Sequence, residues 1–555
     1  MKLEIKLHPG AEPVSIEKDS PITIEELVRE YGDQLPYRVV IARVNNKDEE
    51  LNFAIEEDSA VELLDIRTHS AYVAYQHTVS LIYLKAVRDV LGDVVVEIDN
   101  SLNKGLYTII KGDVDVSEEQ VIAISNRMEE IIEADTPIIK HEFTKKEAVE
   151  LCKMHRLPVK ERLLSKNSEI TKAKFYAIDD YMNFFYGLMA PSAGYVEKFD
   201  IRKYADGILV RFPYPTEPDK MPEYVDDKNM HLAFSEAKKW QQLLGVNYLP
   251  DLNDKIAEGK GQDMILLCEA LHEKKIAEMA DMITKGRKRI VLIAGPSSSG
   301  KTTTAKRLCL QLRVNGLEPL YMGTDDYFVE RTETPLDENG KPNYEDLEAL
   351  DIDLFNSNMN DLLAGKTVDL PEFDFMTGSK IFGKRVMSIR EDQPIVIEGI
   401  HALNGKLTEF IDDREKFRIY ISPFTQLNID THNRVPTTDA RMLRRMVRDY
   451  KYRNKSAAAT IEQWAQVRAG EDKNIFPFNG AADVVFNTAL AYELAVLKKY
   501  AEPLLEEIKE DQPEYCEAVR LLKFIRFFDI IEDEKAIPNN SILREFIGGS
   551  IFVEE

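Results

Sequence analysis

The chain has 555 residues, 44% of them apolar and 30% charged, with a formal net charge of −25. This composition excludes a disordered or fibrous protein and opposes nonspecific attraction to nucleic acid or anionic lipid. The length predicts roughly three to five domains.

In chain order, "MKLEIKLHPG" alternates apolar and charged residues as a strand does and lacks the apolar core of a signal peptide. With no run of about 18 apolar residues to span a membrane, the expected location is cytoplasmic. Residues 1–65 read as a small α+β module in which strand-like runs flank the helix "TIEELVREYG", closed by Gly32. This module holds sixteen Asp/Glu against seven Lys/Arg, a field that repels RNA. Residues 66–212 read as a second α+β unit. A helix runs from His69 to Asp89, strands follow in "DVVVEID" and "GLYTIIKG", and Ser117 caps a long helix. The Pro- and acid-rich residues 211–227 read as an exposed linker, and residues 213–287 as linker plus helical connector. From 288 to 510 apolar strands alternate with amphipathic helices, the pattern of an α/β domain with a largely parallel sheet. Residues 511–555 form a helical tail ending in "REFIGGSIFVEE", to which no motif gives a role. The four cysteines (Cys152, Cys268, Cys309, Cys516) are far apart, so reduced thiols are expected.

Gly295-Pro-Ser-Ser-Ser-Gly300-Lys301-Thr302 fits G-x-x-x-x-G-K-[ST], with the apolar run "RIVLIA" before it and the amphipathic "TTTAKRLCLQLRV" after it. In that setting Gly295, Ser297, Ser298, Ser299, Gly300, Lys301, Thr302 and Thr303 cradle phosphates, Lys301 bridges the β and γ groups, and Thr302 offers a hydroxyl to Mg²⁺. The competing reading is a Gly/Ser turn with no ligand. Downstream, "PLYMGTDDYF" delivers Asp325 and Asp326 to the end of a strand, where one carboxylate activates a hydroxyl or the pair caps a turn. "QPIVIEGI" ends on Glu398, where a metal is held. Arg441, Arg444, Arg445 and Arg448 recur at helical spacing, as a phosphate clamp or as a solvated ion-paired face.

From about Arg289 to Tyr500 these motifs, with "PNYEDLEALDIDLF", "PEFDFMTGSK" and "AADVVFNT" in order, resemble the uridine kinase and phosphoribulokinase family of P-loop kinases. The resemblance implies ATP as phosphate donor and Mg²⁺. It makes Asp325 the catalytic carboxylate, Thr302, Glu398 and Asp325 the metal partners, and Arg445, Arg448 and Arg453 the lid arginines on the phosphates. Glu345 falls where the family has an Asp on the ribose hydroxyls. Uridine-cytidine kinases read P-x-Y-D-F-x-x-H-x-R at the base. Here Phe373 keeps a stacking ring, Gly378 replaces the hydrogen-bonding His and predicts a larger pocket, and Lys380 supplies a cation.

Residues 1–65 resemble the TGS module of threonyl-tRNA synthetase and residues 66–212 its editing-type domain. The editing motifs H-x-x-x-H and C-x-x-x-H are degraded here to His69 with Val73 and to Phe185 with Met189, and such a set holds no metal and activates no water. His69 and His77 are then packed or surface residues. The whole predicts a nucleoside kinase whose partner is a small-molecule nucleoside. No membrane is expected, nucleic acid is disfavoured outside the synthetase-like half, and homo-oligomerisation stays open. Two alternatives are an RNA-associated or regulatory ATP-binding protein and a kinase of another small alcohol.

Overall fold

The computed structural model describes residues 1–112, 115–167, 169–336, 340, 342–424 and 427–553. The alternation in β1 (Lys2–Lys6) buries Leu3 and Ile5 on one face. With β2 (Val14–Glu17), β3 (Val39–Val44), β4 (Lys47–Glu50) and β5 (Ser59–Asp65) it forms a five-stranded sheet ordered β2-β1-β5-β3-β4. Helix α1 (Ile24–Glu30) packs Ile24 and Leu27 on that sheet. Its start is fixed by a capping box in which Thr23 and Glu26 satisfy each other's backbone N–H. It ends two residues before Gly32, which opens a 3₁₀ turn instead of closing the helix in a left-handed conformation.

The next unit is built around α2 (His69–Leu91), buried on every side from Thr78 to Val87. Around it lie β6 (Val95–Leu102), β7 (Gly105–Lys111), α3 (Glu118–Glu133), β8 (Ile138–Thr144), β9 (Lys172–Ile178), β10 (Tyr181–Phe184), β11 (Asp200–Tyr204) and β12 (Gly207–Arg211). The strands make two sheets, β8-β9-β10 and β11-β12-β7-β6. Ser117 caps α3 through a capping box with Gln120. The stretch after β12 is not wholly exposed. Arg211 closes the strand, and Phe212 is fully buried with its ring 5.9 Å from Tyr72 and 6.1 Å from Tyr75, because a large aromatic next to a core outweighs the turn-forming prolines behind it.

Helices α4 (Lys228–Leu244), α5 (Leu249–Ala257) and α6 (Gly261–Lys285) follow. The last packs Ile276, Met279, Ala280 and Ile283 against the C-terminal sheet. That sheet consists of β13 (Ile290–Ala294), β14 (Leu320–Gly323), β17 (Ile395–Glu398), β18 (Lys416–Ser422) and β19 (Val484–Asn487), ordered β14-β17-β13-β18-β19 with every pairing parallel. The apolar runs read as buried strands are the interior of an α/β layer. Between β13 and β14 runs α7 (Lys301–Val314), and between β14 and β17 a hairpin, β15 (Val368–Asp374) with β16 (Ser379–Met387). After β18 come α9 (Thr437–Arg453) and α10 (Ala457–Asn474), and after β19 come α11 (Glu493–Glu506) and α12 (Tyr515–Ile525), α8 (Ile352–Leu363) lying before the hairpin. The four cysteines are unpaired. No helix among the described residues is long and apolar enough to cross a membrane.

The front of the chain and the tail are both anchored to this layer. The segment that leads from β18 into α9 is embedded in the α2 unit. Ile98 N–H donates to Thr431 O at 2.8 Å, Asn428 Nδ2 to Asp99 O at 2.9 Å, and His432 contacts both Val96 O and Asn183. The tail returns as α13 (Arg544–Ile547) beneath the start of α7, with Ile542 and Phe546 fully buried in the core that holds α7. "REFIGGS" is thus a structural part of the C-terminal layer. Ile542→Val should lower the free energy of unfolding by about 0.5–1.5 kcal/mol, read from the urea midpoint at unchanged slope.

Candidate active site

The loop between β13 and α7 wraps back on itself. Gly300, with φ +83°, leads into the helix, and a Cβ there would lie 2.5 Å from Ile542 Cγ2, so only glycine fits. Lys301 Nζ donates to Gly295 O at 3.0 Å and Pro296 O at 3.1 Å. Burial pulls the Lys301 ammonium down from its ordinary value, with Glu398, Asp325, Glu545 and Glu345 opposing. The hydroxyls of Ser298 and Ser299 are buried without a partner among the described residues. Thr302 Oγ1 donates to Glu398 Oε1 at 2.9 Å, and Thr303 Oγ1 donates to Glu545 Oε2 at 2.7 Å.

The carboxylates meet at the C-terminal ends of β14 and β17, the edge where open α/β sheets place ligands. Asp326 accepts from Arg385 at 2.9 Å. Asp325 has no ion pair among the described residues and caps no turn, which leaves it available to a ligand. It opens to the cleft, yet the protein packed around it raises its carboxyl above the usual range by desolvation, with Lys301 opposing and Asp326 and Glu345 adding. Desolvation likewise raises Glu398 and Glu345, in each case against Lys301. Four acids share one lysine, an arrangement that favours a cation.

The arginines of α9 divide into two sets. Arg441 and Arg444 are buried, not solvated. Arg441 pairs with Glu471 and donates from Nε to Ser297 O at 2.9 Å. Arg444 pairs with Glu493 at 2.5 Å and donates to Thr488 O at 2.9 Å, while Thr488 Oγ1 donates to Ser299 O at 2.7 Å. Their role is to hold the loop from below. The second set converges on Asp449, itself fully buried: Arg445 at 3.2 Å, Arg448 at 3.4 Å and Arg453 at 3.3 Å. Arg445 also donates to Ser297 Oγ at 2.8 Å. Three guanidiniums share one carboxylate beside the loop. Burial draws Arg445 below its ordinary value and Arg448 down to about 10, the mark of positive charge left short of partners.

The proposed base pocket differs from expectation. Gly378, with φ +75°, does not enlarge it, because a Cβ there would lie 2.6 Å from Arg331 Nε. The Arg331 side chain fills the space, donating to Phe375 O at 2.5 Å. Phe373 is 6% exposed, edge to face with Phe328 and Phe375, and the ring that faces outward is Phe375, 60% exposed. Lys380 is bound to Asp351 at 2.5 Å and nearly buried. Glu345 sits against α10, its Cβ 3.0 Å from where a Gly470 side chain would begin. Asp449, Glu471, Glu493 and Glu545 escape the motif reading. Asp449 was accessible through its spacing of four from Arg445 and Arg453, whereas the other three come from distant helices.

A model of the Phosphoribulokinase / Uridine kinase family matches residues 290–494. The uridine kinase of Staphylococcus aureus (strain JH9) is 30% identical over 208 residues, which make up 37% of this chain and 91% of that one. A solved structure described as a possible uridine kinase from Bacillus stearothermophilus aligns over 38% of this chain and 99% of its own, at 23% identity and a TM-score of 0.25. Through residues 290–494, which run from β13 past β19, this chain belongs to the phosphoribulokinase and uridine kinase family, a family of kinases.

Proposed function

We propose that the protein is an ATP-dependent nucleoside kinase that transfers the γ-phosphoryl group to a ribose hydroxyl. The observation that carries this reading is the opposition, across one loop, of the three arginines on Asp449 and the carboxylates Asp325, Glu345 and Glu398. The residues fit a nucleotide and its metal. Partnerless buried hydroxyls and surplus guanidinium charge suit phosphate, and Thr302, Glu398 and Asp325 offer the hard oxygens that Mg²⁺ takes. Bound ATP supplies the phosphoryl group, and Mg²⁺ supplies counter-charge for its oxygens.

Asp325 accepts the proton of the acceptor hydroxyl as that oxygen attacks. Lys301, released from the loop carbonyls, and Arg445, Arg448 and Arg453 stabilise the charge that spreads over the transferring group. Glu345 accepts from the ribose hydroxyls, and Phe375 offers its exposed face to the base. ATP consumption should therefore rise with ribonucleosides, with kcat/KM at least tenfold lower for the 2′-deoxy forms. Equal stimulation by simple alcohols contradicts the reading. One observation favours a second acceptor class: Arg331, exposed and without a carboxylate partner among the described residues, stands where a base contact is expected and suits an acceptor bearing an anionic group.

For the front of the chain we propose a TGS-like module over residues 1–65 and an editing-type fold over 66–212 that performs no hydrolysis. Phe185 and Met189 are packed in the core, and His69 lies 43% exposed at 3.9 Å from Asp439. These residues do not form a ligand set.

A further inference from the structure

Between the α2 unit and the C-terminal layer lies a cavity of about 200 Å³. Its walls are apolar where Val73, Ala74, Leu188 and Val519 meet, cationic at Arg434, Arg520, Lys47 and Lys523, and anionic at Asp48 and Glu49. Its volume exceeds the roughly 150 Å³ of an apolar cavity that takes benzene. His77 also faces it, with Nδ1 3.3 Å from Leu188 O. Burial holds this imidazole at about 4, so it stays neutral.

The two arginines are not equivalent. Arg520 is neutralised, at 2.6 and 2.8 Å from the oxygens of Asp439 and at 2.6 Å from Glu517. Those same bonds occupy the cluster of His69, Asp439 and Glu517 that resembles a metal site. Arg434 has no such partner. Its guanidinium makes no hydrogen bond or ion pair among the described residues, and Nε is sealed from solvent. Burial draws it down to about 10, opposed only by Asp99 and the tyrosines Tyr186 and Tyr72. A desolvated guanidinium without a counter-ion is costly, and a carboxylate matches it with two parallel hydrogen bonds.

We infer that this cavity binds a small organic anion, a carboxylate on an aromatic or branched aliphatic body, with Arg434 as its charged anchor. The apolar walls receive the body of the ligand, and its charge replaces the counter-ion that the fold withholds. An occupant would touch the base of α9, since Arg434 lies just before that helix and Arg520 grips Asp439 in its first turn. The inference does not depend on which acceptor the kinase uses.

The test uses the full chain with ATP and Mg²⁺ present, so that the phosphate cleft is taken. Benzoate and the neutral benzamide are titrated and followed by saturation-transfer NMR. Benzoate should bind at least tenfold more tightly than benzamide, Arg434→Gln should remove that difference, and Ala74→Phe should abolish both signals by filling the cavity. Should Ala74→Phe fail to fold, Arg434→Gln decides alone, because it removes a half-buried guanidinium to which no other side chain among the described residues is bonded. No benzoate binding, equal binding of the two probes, or benzoate binding unaltered by Arg434→Gln overturns the inference.

Discussion

Asp325→Asn should lower kcat by about 10² to 10⁴ while leaving ATP binding and the melting temperature near those of the parent. The amide keeps the size of the side chain and an oxygen for the metal, and loses the negative charge and the capacity to take a proton. Asp325 makes no ion pair that the fold depends on, so stability is not at stake. The pH profile gives a second handle. Desolvation raises the Asp325 carboxyl above the ordinary aspartate range, and a base works only when deprotonated. Activity should therefore fall as pH drops through that raised value, and the acid limb should vanish from the residual activity of Asp325→Asn. Full turnover in the variant would move the proton-accepting role elsewhere.

Asp430→Ala should cost about 3–5 kcal/mol of stability, far more than a surface change. Asp430 and Lys160 are both fully buried, 3.6 Å apart, and join the segment before α9 to the α2 unit. Lys160 also donates to Asn183 Oδ1 at 2.6 Å and Phe184 O at 2.8 Å, while Asp430 accepts from the backbone N–H of His432 at 2.8 Å and of Asn433 at 3.0 Å. Removing the carboxylate strands an ammonium and two amides. Replacing both partners together, as Lys160→Met with Asp430→Asn, should recover part of the loss, because no charge is then left unpaired. Urea unfolding of the two variants measures the difference. Equal midpoints for Asp430→Ala and the parent would mean that the two halves are not joined through this pair.

The phosphate loop, the strands beside it and the parallel sheet could be read in the sequence because each rests on local spacing: four residues between two glycines, apolar runs of strand length, a helix face repeating every three or four residues. What could not be read depends on partners far along the chain. Helical spacing put Arg441, Arg444, Arg445 and Arg448 on one face, but Glu471 and Glu493, 30 and 49 residues further on, decide which two are buried as struts. Gly378 predicts a larger pocket, but the side chain of Arg331, distant in sequence, takes that space. The tail shows no period of its own, because Ile542 and Phe546 are apolar only to meet the underside of α7. Phe373, the ring the motif offers for stacking, is buried, and Phe375 two residues on is the exposed one.

The central claim is tested most directly by incubating the protein with ATP, Mg²⁺ and single ribonucleosides and identifying the products by mass, beside Lys301→Ala. A nucleoside monophosphate formed by the parent and absent with the variant is the predicted result. ATP turnover that yields no phosphorylated nucleoside from any ribonucleoside would contradict it, and would assign the arginines on Asp449 and the carboxylates at β14 and β17 to a different acceptor.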